Sequence, residues 1–331
     1  MTFKAVITTI AEPTEAMKAL SRRLLAFNGS LIAIGDTKGP KSFNLPNADF
    51  LPIDRQTELS FRLAKALPTG HYSRKNIGYL QAISAKADVI YETDDDNAPL
   101  QNWTLRSEII DDVRIVREHG WTNVYRYFTS QNIWPRGLLL DEIHTVRPIA
   151  EVQNKVKAPI QQGLVNLSPD VDAIWRLAED HPFDFDDVPS VCLAPHVWCP
   201  FNTQSTWWFP EAYPLMYVPS NCSFRMCDIW KSFIAQRCLW ELGYGVVFHA
   251  PEVVQQRNEH NLMKDFTDEI PGYTGNRKYV EMLENTKLLS GADNASDNLM
   301  RCYEALHAAG FFPSEELQLV QLWLADIAAL L

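Results

Sequence analysis

The first part of the chain alternates short apolar runs with an amphipathic segment. Residues 6–10 are mostly β-branched, which is typical of a strand. Apolar residues then recur at helical spacing between Pro13 and Phe27, and a second apolar run at 31–34 ends in Gly35 and Asp36. This order of elements predicts a βαβ unit with parallel strands and a right-handed crossover.

The same periodicities predict further elements along the chain. A third strand is expected near residues 49–53, a helix at about 76–85, and a strand over Val89–Thr93 that stops at three consecutive aspartates. Later apolar patterns predict helices at 105–118, 171–178, 227–242, 298–309 and 314–331, and strands at 123–128 and 245–249. Mixed strand and helix patterns of this kind predict an α/β fold.

Composition and charge narrow the class of protein. The chain has 331 residues, of which 46% are hydrophobic and 21% charged, enough for a large core. Its net charge of −11, without a basic patch, excludes a nucleic acid as partner. Its six cysteines form no CxxC pair, which favours reduced thiols over zinc or disulfides. Without a signal-peptide pattern or an apolar stretch of about 18 residues, we expect a soluble, cytoplasmic protein with no anchor and no integral membrane span.

The three aspartates after residue 93 are the strongest chemical signal. Adjacent carboxylates repel one another unless solvent or a cation offsets their charge. Mn²⁺ or Mg²⁺ takes oxygen ligands of this kind and completes its shell with water and substrate phosphates. We therefore predict that Asp94 and Asp96 bind such a metal, a solvated acidic turn being the alternative.

Other polar residues are expected on the same edge of the sheet. Thr8, Thr9 and Asp36 lie at the carboxyl ends of the first two predicted strands, and ligands of open α/β sheets bind beyond the carboxyl ends of strands. Arg74 and Lys75 begin the helix before the aspartates. Because cations at a helix N-terminus oppose the helix dipole, their position there needs another reason, and binding of a nucleotide supplies one. A solvated helix start is the alternative. These five residues, together with Asp94 and Asp95, are predicted nucleotide contacts.

Several sequence blocks are more specific than the aspartates alone. They are Tyr91-Glu92-Thr93-Asp94-Asp95-Asp96-Asn97, Asn123-Val124-Tyr125-Arg126-Tyr127-Phe128, Ile133-Trp134-Pro135-Arg136-Gly137, Pro200-Phe201-Asn202-Thr203-Gln204-Ser205-Thr206, Phe224-Arg225-Met226-Cys227-Asp228-Ile229-Trp230 and Ala235-Gln236-Arg237. In this order, over roughly residues 75–260, they resemble the STELLO-type glycosyltransferase family. The resemblance implies a GT-A (Rossmann-like) fold, a mixed sheet flanked by helices, and a metal-assisted sugar-nucleotide site with a DxD motif.

The resemblance also suggests catalytic roles further along the chain. Asp228 begins a helix at the place along the chain where inverting GT-A enzymes carry their catalytic base, and it is the predicted base. The alternative is an acidic residue that only stabilises the helix dipole at the N-terminus. His249 ends a strand and is the predicted additional metal ligand, a structural hydrogen bond being the alternative. Arg257 and Lys264, in a segment that resembles the mobile loop of this fold, are predicted phosphate contacts.

Sugar or acceptor binding is predicted for four residues: Asn202, Gln204, Trp207 and Arg225. For Trp207, packing in the core is the alternative.

The predicted organisation is a GT-A domain at 1–290 followed by a C-terminal helical extension at 291–331. Within that domain, residues 1–130 form the nucleotide-binding half and 131–265 the acceptor and catalytic half. The predicted function is metal-dependent transfer of a sugar from a nucleoside diphosphate sugar, with UDP favoured by the fold class, to a glycan or other small-molecule hydroxyl acceptor.

Three alternatives to this function stay open: a nucleotide-sugar mutase, a nucleotidyltransferase and an inactive scaffold of a polysaccharide-assembly complex. The nucleotidyltransferase is disfavoured because no Gly-rich basic loop follows the first strand. A phosphatase of the haloacid-dehalogenase type is disfavoured because it needs an aspartate there. Assembly into a homo-oligomer is left open.

Overall fold

A mixed sheet lies at the centre of the protein, for which a computed structural model describes residues 1–40, 42–256 and 261–331. Its strands and those of two small additional sheets are β1 (Phe3–Thr8), β2 (Ser30–Ile34), β3 (Ala48–Leu51), β4 (Val89–Thr93), β5 (Asn97–Pro99), β6 (Ile109–Ile110), β7 (Val113–Val116), β8 (Gly120–Trp121), β9 (Ile149–Gln153), β10 (Val156–Lys157), β11 (Ile160–Asn166), β12 (Val191–Leu193), β13 (Val197–Trp198), β14 (Ser205–Trp208) and β15 (Val246–Gln255).

Helices cover both faces of this sheet. They are α1 (Glu15–Ala26), α2 (Ile53–Glu58), α3 (Arg62–Ala66), α4 (Lys75–Ser84), α5 (Ala173–Ala178), α6 (Cys227–Glu241), α7 (Leu262–Asn285), α8 (Ala295–Ala308) and α9 (Ser314–Leu330). The predicted fold class is confirmed: a mixed α/β sheet flanked by helices, with two helices at its C-terminal end.

The order of strands brings the polar strand ends together. The main sheet runs β3-β2-β1-β4-β14-β11-β15-β12-β7-β9, and β5 pairs with β15. The strands β3, β2, β1 and β4 are mutually parallel, whereas β14 is antiparallel to β4. The carboxyl ends of β2, β1 and β4 and the beginning of β14 therefore lie side by side on one rim.

The predicted βαβ unit is confirmed as β1, α1 and β2. The side chain of Thr14 caps α1 by accepting a hydrogen bond from the amide of Met17, and Met17, Leu20 and Leu24 bury the apolar stripe of the helix. Burial of this stripe fixes the crossover over one face of the sheet.

Close packing sets the position of α4, the helix that leads to the aspartates. A Cβ atom on Gly78 would lie 2.4 Å from Cγ1 of Val6 in β1. Only a glycine lets the helix approach the sheet this closely, and the approach brings the start of α4 under the end of β4.

Two predicted elements are wrong. The region predicted as a helix at 105–118 holds β6 and β7. The β-branched residues Ile110, Val113 and Ile115 favour strands. Between the two strands, Asp112 adopts a positive φ of 55°, which a helix does not allow. The predicted strand at 123–128 is a short 3₁₀ helix, Val124–Tyr127, that begins where Asn123 accepts a hydrogen bond from the amide of Tyr125.

The C-terminal helices pack on the rest of the protein. Leu299, Leu306, Val320 and Trp323 belong to the same buried cluster as residues of the central sheet. The division into units at residue 290 stays a prediction. In the part of the chain that the structure describes, no helix combines the length and the apolar character needed to cross a bilayer.

Candidate active site

A cavity of about 490 Å³ lies over the rim formed by β2, β1, β4 and β14. Its volume is within the range of small-molecule and cofactor sites. The predicted site residues that line it are Thr8, Thr9, Asp36, Arg74, Asp94, Asp95, Asp96, Gln204, Arg225 and Asp228. The structure therefore brings most of the predicted residues of three separate strand ends into one space.

Asp94 is held at the floor of the cavity by a hydroxyl and an ammonium group. Its Oδ1 accepts hydrogen bonds from the hydroxyl of Tyr72 at 2.7 Å and from Nζ of Lys75 at 3.2 Å. Lys75 is buried and also donates to the carbonyl of Thr93 at 2.7 Å. Because Lys75 does not line the cavity, it supports the aspartate from below rather than reaching into the open space.

Among the described residues, the other two aspartates each have one side-chain hydrogen-bond partner. Oδ2 of Asp95 accepts a hydrogen bond of 2.5 Å from the hydroxyl of Thr9. Both oxygens of Asp96 accept from Nε2 of Gln255, at 3.1 and 3.0 Å. Burial and the adjacent charge of Asp94 raise the pKa of Asp96 to about 6, even though the Gln255 hydrogen bonds lower it. Negative charge in this cluster thus exceeds the positive charge that the neighbouring side chains supply.

This donor set fits a hard divalent cation. Asp94 and Asp96 offer carboxylate oxygens that still have free lone pairs, and among the described residues Lys75 forms an ion pair with Asp94. Within residues 1–40, 42–256 and 261–331, no three His, Cys, Asp or Glu side chains are arranged to hold a metal ion. One or two carboxylates are the usual protein share for Mg²⁺ bound with substrate phosphates.

Asp36 and Arg74 lie at the β2 end of the cavity. The carboxylate of Asp36 accepts hydrogen bonds from the backbone amides of Thr37, Gly70 and His71, at 2.6, 2.7 and 3.2 Å. These bonds fix the loop after β2 against the loop before α4.

The guanidinium of Arg74 is almost fully buried, and no carboxylate of the described residues lies within hydrogen-bond distance of it. Its Nε donates to Gln56 at 2.8 Å and its Nη1 to the carbonyl of Leu67 at 3.1 Å. Its Nη2 has no hydrogen-bond partner among the described residues. Burial lowers the pKa of Arg74, while the charge of Asp36 raises it. A donor left unpaired beside a cavity is available to a ligand.

An ion-pair network forms the opposite wall. Nε and Nη2 of Arg136 each donate to Asp170 at 2.8 Å, and Nη1 and Nη2 donate to Asp228 at 3.0 and 2.8 Å. Burial alone would raise the pKa of Asp228, but the charge and hydrogen bonds of Arg136 outweigh it and hold the pKa below its ordinary value. Asp228 is therefore ionised and fixed in orientation.

Arg225 extends this network towards α7. Its Nε donates to Oε1 of Glu269 at 2.9 Å, and its Nη2 lies 2.8 Å from the same oxygen and 4.0 Å from Asp170. Because Arg225 also lines the cavity, it can contact a ligand while Glu269 holds it.

Two predicted residues lie away from the cavity. His249 is buried, with Nδ1 2.7 Å from the hydroxyl of Ser190 and Nε2 3.0 Å from Oε1 of Gln161. Burial holds its pKa well below the ordinary value, so its ring is neutral at physiological pH. Trp207 is fully buried against Tyr91, with 4.4 Å between ring centroids, and lies in the core on the side of α1.

The remaining predicted residues have other settings. Asn202 is buried outside the cavity lining, where its Oδ1 accepts hydrogen bonds from Gln162 and from the amide of Gln204. Lys264 is exposed on α7 and pairs with Asp268. Arg257 lies outside the described residues.

Sequence reasoning missed several residues of the cavity. Tyr72, Arg136, Asp170 and Gln255 line it and contact the predicted residues, yet they were not assigned a role. Arg136 could have been found, because it lies in the block Ile133-Trp134-Pro135-Arg136-Gly137. Gln255 and Asp96 are 159 residues apart, and no local pattern indicates that they meet.

Comparison with known proteins finds similarity to glycosyltransferases. The family model of the STELLO glycosyltransferases matches residues 225–331, which begin at Arg225 and include Asp228. The chain is 28% identical over 354 aligned residues to Probable glycosyltransferase STELLO2 of Arabidopsis thaliana, with 97% of this chain and 44% of that protein covered. It is 27% identical to Probable glycosyltransferase STELLO1 of the same plant, with 98% and 44% covered.

The chain thus spans less than half the length of these two curated relatives, but the similarity extends over nearly all of its own length. The match includes the aspartate cluster, the Arg136 network and the C-terminal helices. The chain is thus similar to the STELLO glycosyltransferases, whose family model matches its C-terminal third.

Proposed function

We propose that the protein is a metal-dependent glycosyltransferase that uses a nucleoside diphosphate sugar, with UDP as its nucleotide. The observation that carries this proposal is the row of polar groups along one rim: Asp36 after β2, Thr8 and Thr9 at the end of β1, the aspartates after β4, and Gln204 before β14. Strands lie about 4.8 Å apart, so the row from β2 to β14 is about 14 Å long. An extended nucleotide sugar has a similar length.

The β2 end of this row suits a pyrimidine base. The carboxylate of Asp36 can accept a further hydrogen bond, and Nη2 of Arg74 is an unpaired donor. Uracil presents an imide N–H beside a carbonyl oxygen, which is the complementary pattern. This match, together with the fold class, favours UDP as the nucleotide.

The middle of the row suits a diphosphate with Mn²⁺ or Mg²⁺. Asp94 and Asp96 would hold the ion, and the ion would offset the charge of the departing nucleoside diphosphate. Lys75 and Tyr72 keep Asp94 in place before the substrate arrives. The contributions of Arg257 and Lys264 to phosphate binding, and of His249 to metal binding, stay predictions.

The wall that contains Asp228 suits the sugar and its acceptor. We propose an inverting transfer, in which an acceptor hydroxyl oxygen bonds to the anomeric carbon as the bond to the β-phosphate oxygen breaks. Asp228 takes the hydroxyl proton, and the nucleoside diphosphate leaves with the bonding electrons. Arg136 keeps Asp228 ionised and oriented, and Arg225 can contact the sugar or the acceptor. The acceptor is a glycan or another hydroxyl compound.

Release of nucleotide from a sugar nucleotide tests this function. Purified protein is incubated with Mn²⁺ or Mg²⁺ and UDP-glucose, UDP-galactose or UDP-N-acetylglucosamine, and the release of UDP is followed by chromatography. We expect release from at least one donor, and loss of this activity with EDTA and with Asp96→Ala. The variant Asp184→Ala, at an exposed position outside the cavity lining, serves as the control. Metal-independent release, or release unaffected by Asp96→Ala, would contradict the proposal.

A further inference from the structure

A chain of two glutamine amides connects Asp96 to a side-chain oxygen in the cavity wall. Nε2 of Gln255 donates to both carboxylate oxygens of Asp96. Nε2 of Gln204 in turn donates to Oε1 of Gln255 at 2.8 Å and, more weakly, to the carbonyl of Ser168 at 3.4 Å. Asp96, Gln255 and Gln204 all line the cavity, so this chain follows its surface.

The charge of Asp96 fixes the direction of every bond in this chain. An ionised carboxylate only accepts hydrogen bonds, so Gln255 must present its NH₂ group to Asp96. The Oε1 of Gln255 then faces Gln204, and Gln204 must present its own NH₂ group in turn. Reversing either amide would place two oxygens or two NH₂ groups against each other. The orientation of Gln204 therefore follows from a carboxylate that it does not touch.

This orientation leaves one acceptor without a partner. Oε1 of Gln204 is buried, and it has no hydrogen-bond partner among the described residues, while the residue as a whole is 8% exposed. A buried amide oxygen that gains no hydrogen bond costs about 1–3 kcal/mol. A ligand that brings a hydrogen-bond donor to this point recovers that cost.

The position of Gln204 on the rim indicates which part of the ligand it meets. Thr203, next to it, contacts the hydroxyl of Tyr72 at 2.6 Å, and Tyr72 holds Asp94. Gln204 thus lies beyond the aspartates, at the end of the rim opposite Asp36. Ionised phosphates carry no donor, and the base occupies the Asp36 end under the proposed function. A hydroxyl of the transferred sugar is the donor that remains.

We infer that Oε1 of Gln204 accepts a hydrogen bond from one hydroxyl of the donor sugar, and that Gln255 is the positioning residue that aims it. This assignment rests on the proposed function and adds a specificity-determining residue to it. Sugars that lack this hydroxyl, or carry it in the opposite configuration, leave the oxygen unpaired. A site built to bind a hydroxyl discriminates against its absence, and one hydrogen bond of this kind corresponds to about a 10- to 100-fold effect.

The test compares UDP-sugars that each lack one hydroxyl of the sugar. The probes are the most active of the three UDP-sugars named above and its monodeoxy derivatives, each assayed for kcat/KM of UDP release. For the unmodified protein, we expect one derivative to react about 10- to 100-fold more slowly than the parent sugar. In Gln204→Leu, we expect kcat/KM for the parent UDP-sugar to fall, so that it no longer differs from kcat/KM for that derivative. Gln204→Met replaces the leucine variant if the latter does not fold.

Two further variants complete the comparison. Gln255→Leu leaves the amide of Gln204 held by its weaker hydrogen bond to the carbonyl of Ser168, and it is expected to reduce the hydroxyl preference, a readout that loss of stability alone would not change. Gln101→Leu, at an exposed position outside the cavity, is expected to keep the preference of the unmodified protein.

The possible results separate the inference from the proposed function. If the unmodified protein releases UDP but Gln204→Leu keeps the same preference for every hydroxyl, the role of Gln204 is wrong and the proposed function stands. If Gln255→Leu keeps the full preference, Gln255 is not a positioning residue. If no UDP-sugar is cleaved by the unmodified protein, the proposed function fails and the inference fails with it.

Discussion

In the cavity wall, Arg136 donates two hydrogen bonds to the carboxylate of Asp228, of 3.0 and 2.8 Å. The same guanidinium makes a second pair of bonds with Asp170. One buried cation therefore holds two buried carboxylates, and Asp228 is both ionised and fixed before any substrate arrives.

Removing the cation should destabilise the protein strongly. We expect Arg136→Met to lower the free energy of unfolding by about 3–5 kcal/mol, because it removes the cation that is hydrogen-bonded to both buried carboxylates, Asp170 and Asp228. Urea denaturation measures this difference. Arg117, which pairs with Glu151 at the surface, provides the matched control: Arg117→Met should cost about 1 kcal/mol or less. Equal losses for the two variants would mean that the Arg136 network is not a structural requirement.

Removing the charge of Asp228 should affect turnover more than nucleotide binding. We expect Asp228→Asn to lower kcat by about 100-fold or more, because the amide cannot take up the acceptor proton. The affinity for UDP with Mn²⁺, measured by calorimetry, should change by less than about threefold, since Asp228 lies in the wall assigned to the sugar and its acceptor. A variant with full turnover would show that Asp228 is not the base and only anchors Arg136.

Substitution of Arg74 should show whether this residue contacts the base or the diphosphate of the nucleotide. If its unpaired Nη2 contacts the base, we expect Arg74→Met to weaken binding of UDP about 10-fold and binding of pyrophosphate much less, both with Mn²⁺ present. Competition calorimetry measures both affinities. Arg22→Met, at an exposed position of α1, is the control for a change of net charge. An equal loss for UDP and pyrophosphate would assign Arg74 to the phosphates instead.

A carboxylate outside the cavity should give the protein a pH-dependent stability. The pKa of Glu108 is raised to about 7. Burial is the largest cause, and the hydrogen bond and the charge of Glu211 add to it, although Lys157 lowers the pKa. Because the folded state holds this proton more tightly, the stabilisation is complete below about pH 4.5 and is lost as the pH rises through 7.

Unfolding by urea at pH 5 and pH 8 tests this pH dependence. We expect Glu108→Gln to reduce the loss of stability between the two pH values by about 1 kcal/mol relative to the unmodified protein. The exposed Glu58→Gln should leave that loss unchanged. An identical pH dependence for Glu108→Gln would contradict the raised pKa of Glu108.

The local part of the fold could be predicted from the sequence. The β-branched run of β1 and the apolar spacing of Met17, Leu20 and Leu24 are complete within a few residues, so periodicity was sufficient. The long helix α7 was missed because it contains Pro271, Gly272 and Gly275, which have the lowest helix propensities. Packing of α7 against the rest of the core outweighs these propensities.

The candidate site was predictable only where it follows from strand ends. Asp36 and Asp96 could be placed on one rim, because parallel strands carry their carboxyl ends to the same side. The partners that set their chemistry come from distant segments: Asp228 meets Arg136 across 92 residues, and Asp96 meets Gln255 across 159. Such pairs depend on the order of strands in the sheet, which hydrophobic patterns do not specify.

Metal-dependent nucleotide binding is the most direct test of the proposed site. The melting temperature of the protein is measured with UDP alone, with Mn²⁺ alone and with both. The proposal predicts a rise only when both are present, since the metal joins the diphosphate to Asp94 and Asp96. It also predicts that Asp96→Ala abolishes the rise while Asp184→Ala keeps it. A rise with UDP alone, or one that survives Asp96→Ala, would contradict the metal–nucleotide site.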